Sequence, residues 1–138
     1  MADAVTSQTL SDGDRIAVMK FTNISDGTGE SSVAKVDVSA LASNSAGETP
    51  ALATIEQIWY DIGGMRVALE WNATTNVVAA VVGGSAAAGP GSGHMDFRSF
   101  GGIKNTLASG YNGDIDLTTH GHTNHDHYTV VLQLRKSY

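Results

Sequence analysis

Histidines near the C-terminal end of the chain are the residues best suited to chemistry. Four of the five fall within eight positions, with one carboxylate among them: His120, His122, His125, Asp126 and His127. His120 and His122 are two apart on a predicted strand, so both should project from one face. His127 should share that face across a predicted hairpin turn, because the next residue, Tyr128, is expected to point into the core. Three imidazoles on one face of a hairpin could bind zinc, nickel or copper. His120, His122 and His127 are therefore the predicted metal ligands.

The same cluster has a simpler interpretation as an exposed or interface loop. Such a loop is polar because it meets water, and its imidazoles would add pH sensitivity because they titrate near neutrality. A catalytic zinc site also needs a pocket and a hydrogen-bond partner for each ring, and the sequence indicates no pocket. We expect no cofactor apart from a divalent metal at this cluster.

Other motifs of enzymes are incomplete. In the Gly-rich segment 83–93, Gly84 and Gly89 have the outer spacing of a phosphate-binding loop, but Pro90 stands where the lysine should be. No Gly-x-Ser-x-Gly motif is present. The segment Asp-Gly-Thr-Gly-Glu at 26–30 departs from the aspartic-protease order Asp-Thr-Gly and has no second copy. We therefore predict a protein without catalytic residues, not an enzyme.

Trp59 is a candidate for binding through an aromatic ring. It alternates with Ile58 and Tyr60, which places it on the water-facing side of a half-buried strand. An exposed Trp on a sheet is a candidate platform for a sugar or a contact for a protein. The alternative is that both faces of the sheet are covered at this point.

Composition restricts the class of protein and its partners. Sixteen Gly, only two Pro and many β-branched residues favour an all-β chain, and 138 residues are enough for one domain with its own core. The net charge is −6 and the eight Lys and Arg are scattered, which argues against a nucleic acid or an anionic membrane as partner. The chain has no Cys, no apolar run of membrane-spanning length, and no signal-peptide pattern, so we expect synthesis in the cytoplasm.

The centre of the chain carries the clearest strand pattern. Apolar and polar residues alternate over 65–72, with Met65, Val67, Leu69 and Trp71 on one face. Gly63 and Gly64 before this run indicate a hairpin turn. The run 77–82, Val-Val-Ala-Ala-Val-Val, is apolar on both faces. These features predict a three-stranded meander over 53–82 whose last strand lies deepest, buried on both sides.

Further strands are predicted over 4–10, 15–24, 32–38, 114–120 and 128–136, with a hairpin loop at 25–30 and a helical turn at 38–42. Their inward positions follow from alternation: Ala17, Met19, Phe21, Ile115, Leu117, Tyr128, Val130, Leu132 and Leu134. About eight or nine short strands at these intervals predict a single-domain antiparallel β-sandwich over 1–138, jelly-roll-like. We also predict an extended N-terminal arm (1–7) and a flexible Gly/Ala/Ser loop (83–93).

Several segments resemble one family of proteins. They are Arg15-Ile-Ala-Val-Met-Lys-Phe-Thr-Asn-Ile-Ser-Asp-Gly-Thr-Gly-Glu-Ser, Val33-Ala-Lys-Val-Asp-Val-Ser-Ala-Leu41, Ile58-Trp-Tyr-Asp-Ile-Gly-Gly-Met65, Met95-Asp-Phe-Arg-Ser-Phe-Gly-Gly102, Gly113-Asp-Ile115, Gly121-His-Thr123 and Tyr128-Thr129. This pattern is similar to that of small virion structural proteins of contractile-tailed bacteriophages. The segments cover strands and turns and include no catalytic motif. The dense His cluster is not part of the family pattern.

The resemblance implies a structural role in a virion. The first expectation is a head decoration (cement) protein bound to the major capsid protein. The second is a neck, tail or fibre component, such as a head–tail connector part, that forms a small symmetric ring with other virion proteins. Either role implies assembly into the virion after synthesis in the host cytoplasm, with a homo-oligomer in the particle. A third hypothesis, from the residues alone, is a carbohydrate-binding β-sandwich that uses Trp59.

Overall fold

The computed structural model describes residues 3–83, 91–107 and 110–138. These ranges contain nine strands: β1 (Ala4–Asp12), β2 (Ile16–Asp26), β3 (Val33–Val36), β4 (Leu52–Gly63), β5 (Arg66–Ala73), β6 (Val77–Gly83), β7 (Gly91–Asp96), β8 (Tyr111–His120) and β9 (Asn124–Ser137). Two short 3₁₀ helices, Val38–Ala40 and Arg98–Phe100, complete the regular structure, and the first lies within the helical turn predicted at 38–42. None of the helices in these ranges is long and apolar enough to cross a membrane.

The strands form two antiparallel sheets that pack as a sandwich. The five-stranded sheet has the order β1-β2-β9-β4-β7, and the four-stranded sheet has the order β3-β8-β5-β6. Strands β2 to β9 pair as a nested set, β2 with β9, β3 with β8, β4 with β7 and β5 with β6. This is the pairing of a jelly roll, an eight-stranded ribbon folded over into two sheets. The predicted antiparallel β-sandwich of jelly-roll type is confirmed, with β1 added at one edge.

The core between the sheets contains the residues that alternation predicted. In β2, β5, β8 and β9, and at Met65 directly before β5, the inward side chains are buried: Ala17, Met19, Phe21, Met65, Val67, Leu69, Trp71, Ile115, Leu117, Tyr128, Val130, Leu132 and Leu134. Ile58 and Ile62 of β4 add to them from the five-stranded sheet. Because successive side chains of a strand point to opposite faces, alternation alone was enough to identify this set.

The predicted meander over 53–82 is wrong in its first connection and in the depth of its last strand, whereas its second half is confirmed because β5 and β6 pair antiparallel. Gly63 and Gly64 do not close a hairpin but lead from the five-stranded sheet, where β4 lies between β9 and β7, to the four-stranded sheet. Strand β6 is not the deepest strand but an edge strand. Val77, Val78 and Val81 are 41%, 54% and 55% exposed, and of its valines Val82 alone is buried. The nested topology places β6 at the edge whatever its composition.

Two other predicted turns are also connections between sheets. The segment after β2 at 25–30 leads to β3 in the opposite sheet, and the segment 120–127 leads from β8 to β9, which are not paired with each other. Residues 4–7 of the predicted N-terminal arm belong to β1 and pair with β2. Of the predicted loop 83–93, residue 83 ends β6, residues 91–93 begin β7, and residues 84–90 lie outside the described residues.

Candidate functional site

The histidine-rich segment at 120–127 holds two neighbouring loops in place. His122 lies between Thr119, whose Oγ1 is 3.2 Å from its Nδ1, and Thr28, whose carbonyl oxygen is 3.1 Å from its Nε2. Because a carbonyl oxygen can only accept, we assign the ring proton to Nε2 and let Nδ1 accept from the Thr119 hydroxyl. A methyl group at Gly29 would lie 2.1 Å from Nε2 of His122, so the ring packs directly on the backbone. His122 thus fastens the loop between β2 and β3 to the end of β8.

Asp126 and His127 make the equivalent contact with the β4–β5 connection. A methyl group at Gly63 would lie 2.5 Å from Cε1 of His127, and one at Gly64 would lie 2.2 Å from Oδ1 of Asp126. The other carboxylate oxygen of Asp126 accepts from the backbone N–H of Thr123 at 2.7 Å and from its hydroxyl at 3.0 Å. The glycines are therefore needed for close approach at the corner of the sandwich.

The structure does not assemble the predicted metal ligands. His120 and His127 are exposed at the ends of β8 and β9, which lie in different sheets, while His122 is half-buried against Gly29. No hairpin exists on which His120, His122 and His127 could share a face. Within the described ranges, no three His, Cys, Asp or Glu side chains form a group that could hold a metal ion. His125 is also exposed and has a φ of 73°.

Behind this segment lies a buried ionic network centred on Glu30. One carboxylate oxygen of Glu30 is 2.6 Å from Nζ of Lys35, and both side chains are buried. The other oxygen accepts from the hydroxyl of Tyr128 at 2.5 Å and from the side-chain amide of Asn23 at 2.8 Å. The backbone N–H of Glu30 donates to Thr119 at 2.9 Å. The carboxylate therefore has a partner for each oxygen, as a buried charge requires.

Two further groups extend this network and have shifted pKa values. Burial raises the pKa of the Tyr128 hydroxyl far above its usual value, and the bond to Glu30 adds to that shift. At Asp3, burial would raise the pKa of the carboxyl, but hydrogen bonds from Asn23 and from the backbone N–H groups of Asp26 and Gly29 outweigh it and lower the pKa. Asp3 thereby ties the start of β1 to the loop between β2 and β3.

Sequence reasoning missed this network for a local reason. In the predicted strand 32–38, alternation puts Lys35 on the face opposite Val36. The ladder between β3 and β8 has a register shift between Ala34 and Val36, so Lys35 is the extra residue of a β-bulge, and its ammonium group pairs with Glu30 in the interior. Nothing in the sequence marks the bulge. The available signal was the presence of one acid and one base on segments predicted to adjoin.

Trp59 lies among polar side chains on the outer face of the five-stranded sheet. The ring of Trp59 is half-buried and stacks on His94 of β7, with centroids 4.9 Å apart and planes 8° from parallel. Nε2 of His94 lies 2.8 Å from Oε1 of Gln57, whose amide donates to Gln133 at 2.9 Å. A shallow cavity of about 300 Å³ lies beside the indole, bordered by Asp61 and Thr129 among others. Trp59 is thus accessible on one side only.

Comparison with known proteins returns no match. No protein-family model, no curated protein and no solved structure is similar to the chain at a significant level.

Proposed function

We propose that the chain is a non-enzymatic structural protein of a tailed-phage virion, specifically a head decoration protein. In this role it binds the outer surface of the major capsid protein, stabilises the shell, and is found in the virion after synthesis in the host cytoplasm. The proposal starts from the resemblance of the segments between residues 15 and 129 to small virion structural proteins. A small jelly roll without cysteines suits this role, because it can be added to a shell in many copies.

The structural observation that supports the proposal most directly is that each sheet of the sandwich has an exposed edge strand, β1 in one sheet and β6 in the other. Among the strands that the structure describes, β1 pairs only with β2, and its residues 4–11 are exposed. At the edge of the four-stranded sheet, β6 pairs with no described strand other than β5 and exposes three valines. Exposed strand edges and apolar side chains favour contacts with other chains. Two separate edges would let one copy contact both the shell and a neighbouring copy.

The copy number in the particle tests this role. Quantitative mass spectrometry of purified virions would compare the polypeptide with the major capsid protein. On the order of hundreds of copies, in a simple ratio to the capsid subunits, is the expected result. Roughly five to a few dozen copies would contradict a decoration role and favour a neck, tail or fibre component. Absence from the particle would contradict both.

A second candidate function, carbohydrate binding, is favoured by the geometry at Trp59. An indole face beside a shallow cavity, with the exposed carboxylate of Asp61 at its border, is suited to stack on a sugar ring and accept hydrogen bonds from its hydroxyls. A glycan array with the wild-type protein and the Trp59→Ala variant tests it. Binding that is lost in Trp59→Ala but kept in Tyr111→Ala, a control at an exposed tyrosine on the other sheet, would support the function. An array without signal would contradict it.

A further inference from the structure

Strand β6 is more apolar than its position in a single copy requires. Its sequence from Val77 to Val82 contains only valine and alanine, a composition typical of a strand with neighbours on every side. In the structure it is the edge of the four-stranded sheet, and Val78 and Val81 are both more than half exposed on the outer face. The strand carries no charge, proline or lysine that would discourage further pairing.

A β-bulge gives this edge an unusual symmetry. The register with β5 pairs Leu69 with Ala80 but Glu70 with Val78, so Ala79 is the extra residue. Because of the bulge, Val78 and Val81 point to the same outer face although they are three positions apart. Val77 and Val82 pair with Trp71 and Val67 on the inner face. The sequence Val-Val-Ala-Ala-Val-Val reads the same in both directions. Because of the bulge, its valine side chains also point to the two faces in an order that is the same from either end.

We propose that β6 pairs antiparallel with β6 of a second copy about a two-fold axis between Ala79 and Ala80. In this register Val78 of each copy lies opposite Val81 of the other on the outer face, and Val77 lies opposite Val82 on the inner face. Directly opposed residues of an antiparallel pair of strands must point to the same face of the sheet. The bulge makes this possible for Val78 with Val81 and for Val77 with Val82. The two four-stranded sheets become one continuous sheet of eight strands.

The neighbouring residues fit the same register. Along the sheet, Val78 is flanked by Glu70 of β5, and Val81 is flanked by Ala68 of β5. Across the axis, each row of residues that lie side by side on the outer face therefore follows the order Glu70, Val78, then Val81 and Ala68 of the second copy. The two Glu70 carboxylates therefore lie in different rows, separated by valines, and no like charges face each other. Residues 77–82 carry no charge that would have to be buried between the two copies.

A second copy is the occupant that this symmetry selects. A strand of another protein could pair with the same edge, but it would not require a palindromic sequence or a bulge at its centre. The contact involves one short strand from each copy, which places it among the smaller interfaces, so we expect a dimer that dissociates on dilution. The inference stands on β6 alone and does not depend on the proposed role in a virion.

Disulfide trapping tests both the contact and its register. The chain has no cysteine, so an introduced thiol has no competitor. Val78→Cys and Val81→Cys are prepared separately, mixed and mildly oxidised. The mixture should give several-fold more cross-linked dimer than either variant alone, because positions 78 and 81 are opposed whereas each position is not opposed to itself. Equal yields from a mixture of Val78→Cys with Ile24→Cys, a residue 60% exposed on the other sheet, would overturn the proposal.

Charge substitutions give an independent measurement by sedimentation equilibrium. Val78→Lys should weaken dimerisation at least about tenfold, since the lysine faces a valine at two symmetric positions. Adding Val81→Glu should restore association in a salt-sensitive manner, because each new lysine then faces a new glutamate. Ile24→Lys, the matched control, should dimerise like the wild type. Circular dichroism of each variant checks that it is folded. A wild-type protein that stays monomeric at every concentration, or a dimer unaffected by Val78→Lys, would overturn the proposal.

Discussion

At the scale of single residues, the protein has an ion pair whose two side chains are both buried in the interior. Glu30 and Lys35 are both buried and lie 2.6 Å apart, whereas the pair Asp96–Arg98 is exposed at a similar distance, 2.7 Å. A buried ion pair has lost the solvation of both ions and depends on each partner to compensate the other. An exposed pair keeps most of its hydration, so its loss is largely compensated by water. The two pairs should therefore respond very differently to the removal of one charge.

Neutralising Glu30 is expected to destabilise the protein strongly. In Glu30→Gln the ammonium group of Lys35 stays buried without a counter-charge, which should lower the free energy of unfolding by about 3 kcal/mol or more. Urea unfolding at neutral pH measures the change. Asp96→Asn, the matched control, should unfold almost like the wild type even though Arg98 holds the pKa of Asp96 down to about 2. Glu30→Gln combined with Lys35→Met should recover much of the loss. A small effect of Glu30→Gln alone would contradict this account.

The shifted pKa of Tyr128 predicts a loss of stability at high pH. The pKa of this hydroxyl is raised in the folded protein above its ordinary value of 10.0, because of burial and the bond to Glu30. A raised pKa means that the contribution is complete below about pH 10 and is lost as the pH rises above it. The advantage of the wild type over Tyr128→Phe should shrink by up to about 1.4 kcal/mol per pH unit above pH 10. Unfolding free energies of both proteins between pH 8 and 11 test this; a constant difference would contradict it.

The histidines show what residue types can and cannot predict. Their clustering in the sequence suggested metal binding, but the contacts that the structure shows for two of them are with glycines. His122 contacts Gly29, and His127 contacts Gly63, both on loops distant in sequence. The metal hypothesis required a hairpin, and whether two consecutive strands pair is not encoded in their side-chain alternation. It depends on the partners that the rest of the chain supplies.

At the scale of elements, strand positions and core faces could be predicted, whereas neighbours could not. The inward residues of β2 and β9 were correct because alternation is a local property. The predicted burial of β6 was wrong because an apolar composition does not distinguish a central strand from an edge strand. The Gly63–Gly64 pair was misread for a similar reason. A hairpin turn and a corner between sheets both favour glycine, one for its backbone conformation and the other also for close approach.

A comparison of two glycines separates these two requirements. Gly64 has a φ of 83° and lies against Asp126. Gly47 has a φ of 80°, and no atom of the described residues lies within 4 Å of the place where its Cβ would stand. Gly47→Ala should cost only the left-handed conformation, about 1–2 kcal/mol. Gly64→Ala should cost about 1–3 kcal/mol more, because Asp126 must give up its hydrogen bonds to Thr123. Thermal or urea unfolding of both variants provides the measurement. Equal losses would show that the contact with Asp126 contributes nothing.

At the scale of the whole molecule, the nested pairing decides which strands are indispensable. Strand β9 lies between β2 and β4, and it contributes Val130, Leu132 and Leu134 to the core. Strand β1 has β2 as its only partner among the described strands, and its first eight residues are all exposed. The first and last strands therefore contribute very differently to the core, although both belong to the five-stranded sheet. The sequence predicted both strands, but only the topology ranks them.

Deletions of equal length at the two ends test this ranking. A protein that lacks residues 2–10 should still unfold cooperatively, at a lower temperature, because it loses the hydrogen bonds of Asp3 and the cover of β2 but no buried apolar side chain. A protein that lacks residues 130–138 should show no cooperative transition, because β2 and β4 lose the strand that joins them and the core loses three buried apolar side chains. Thermal unfolding followed by circular dichroism distinguishes the two. Cooperative melting of the C-terminal deletion would mean that β2 and β4 can pair directly, a rearrangement that the jelly-roll nesting forbids.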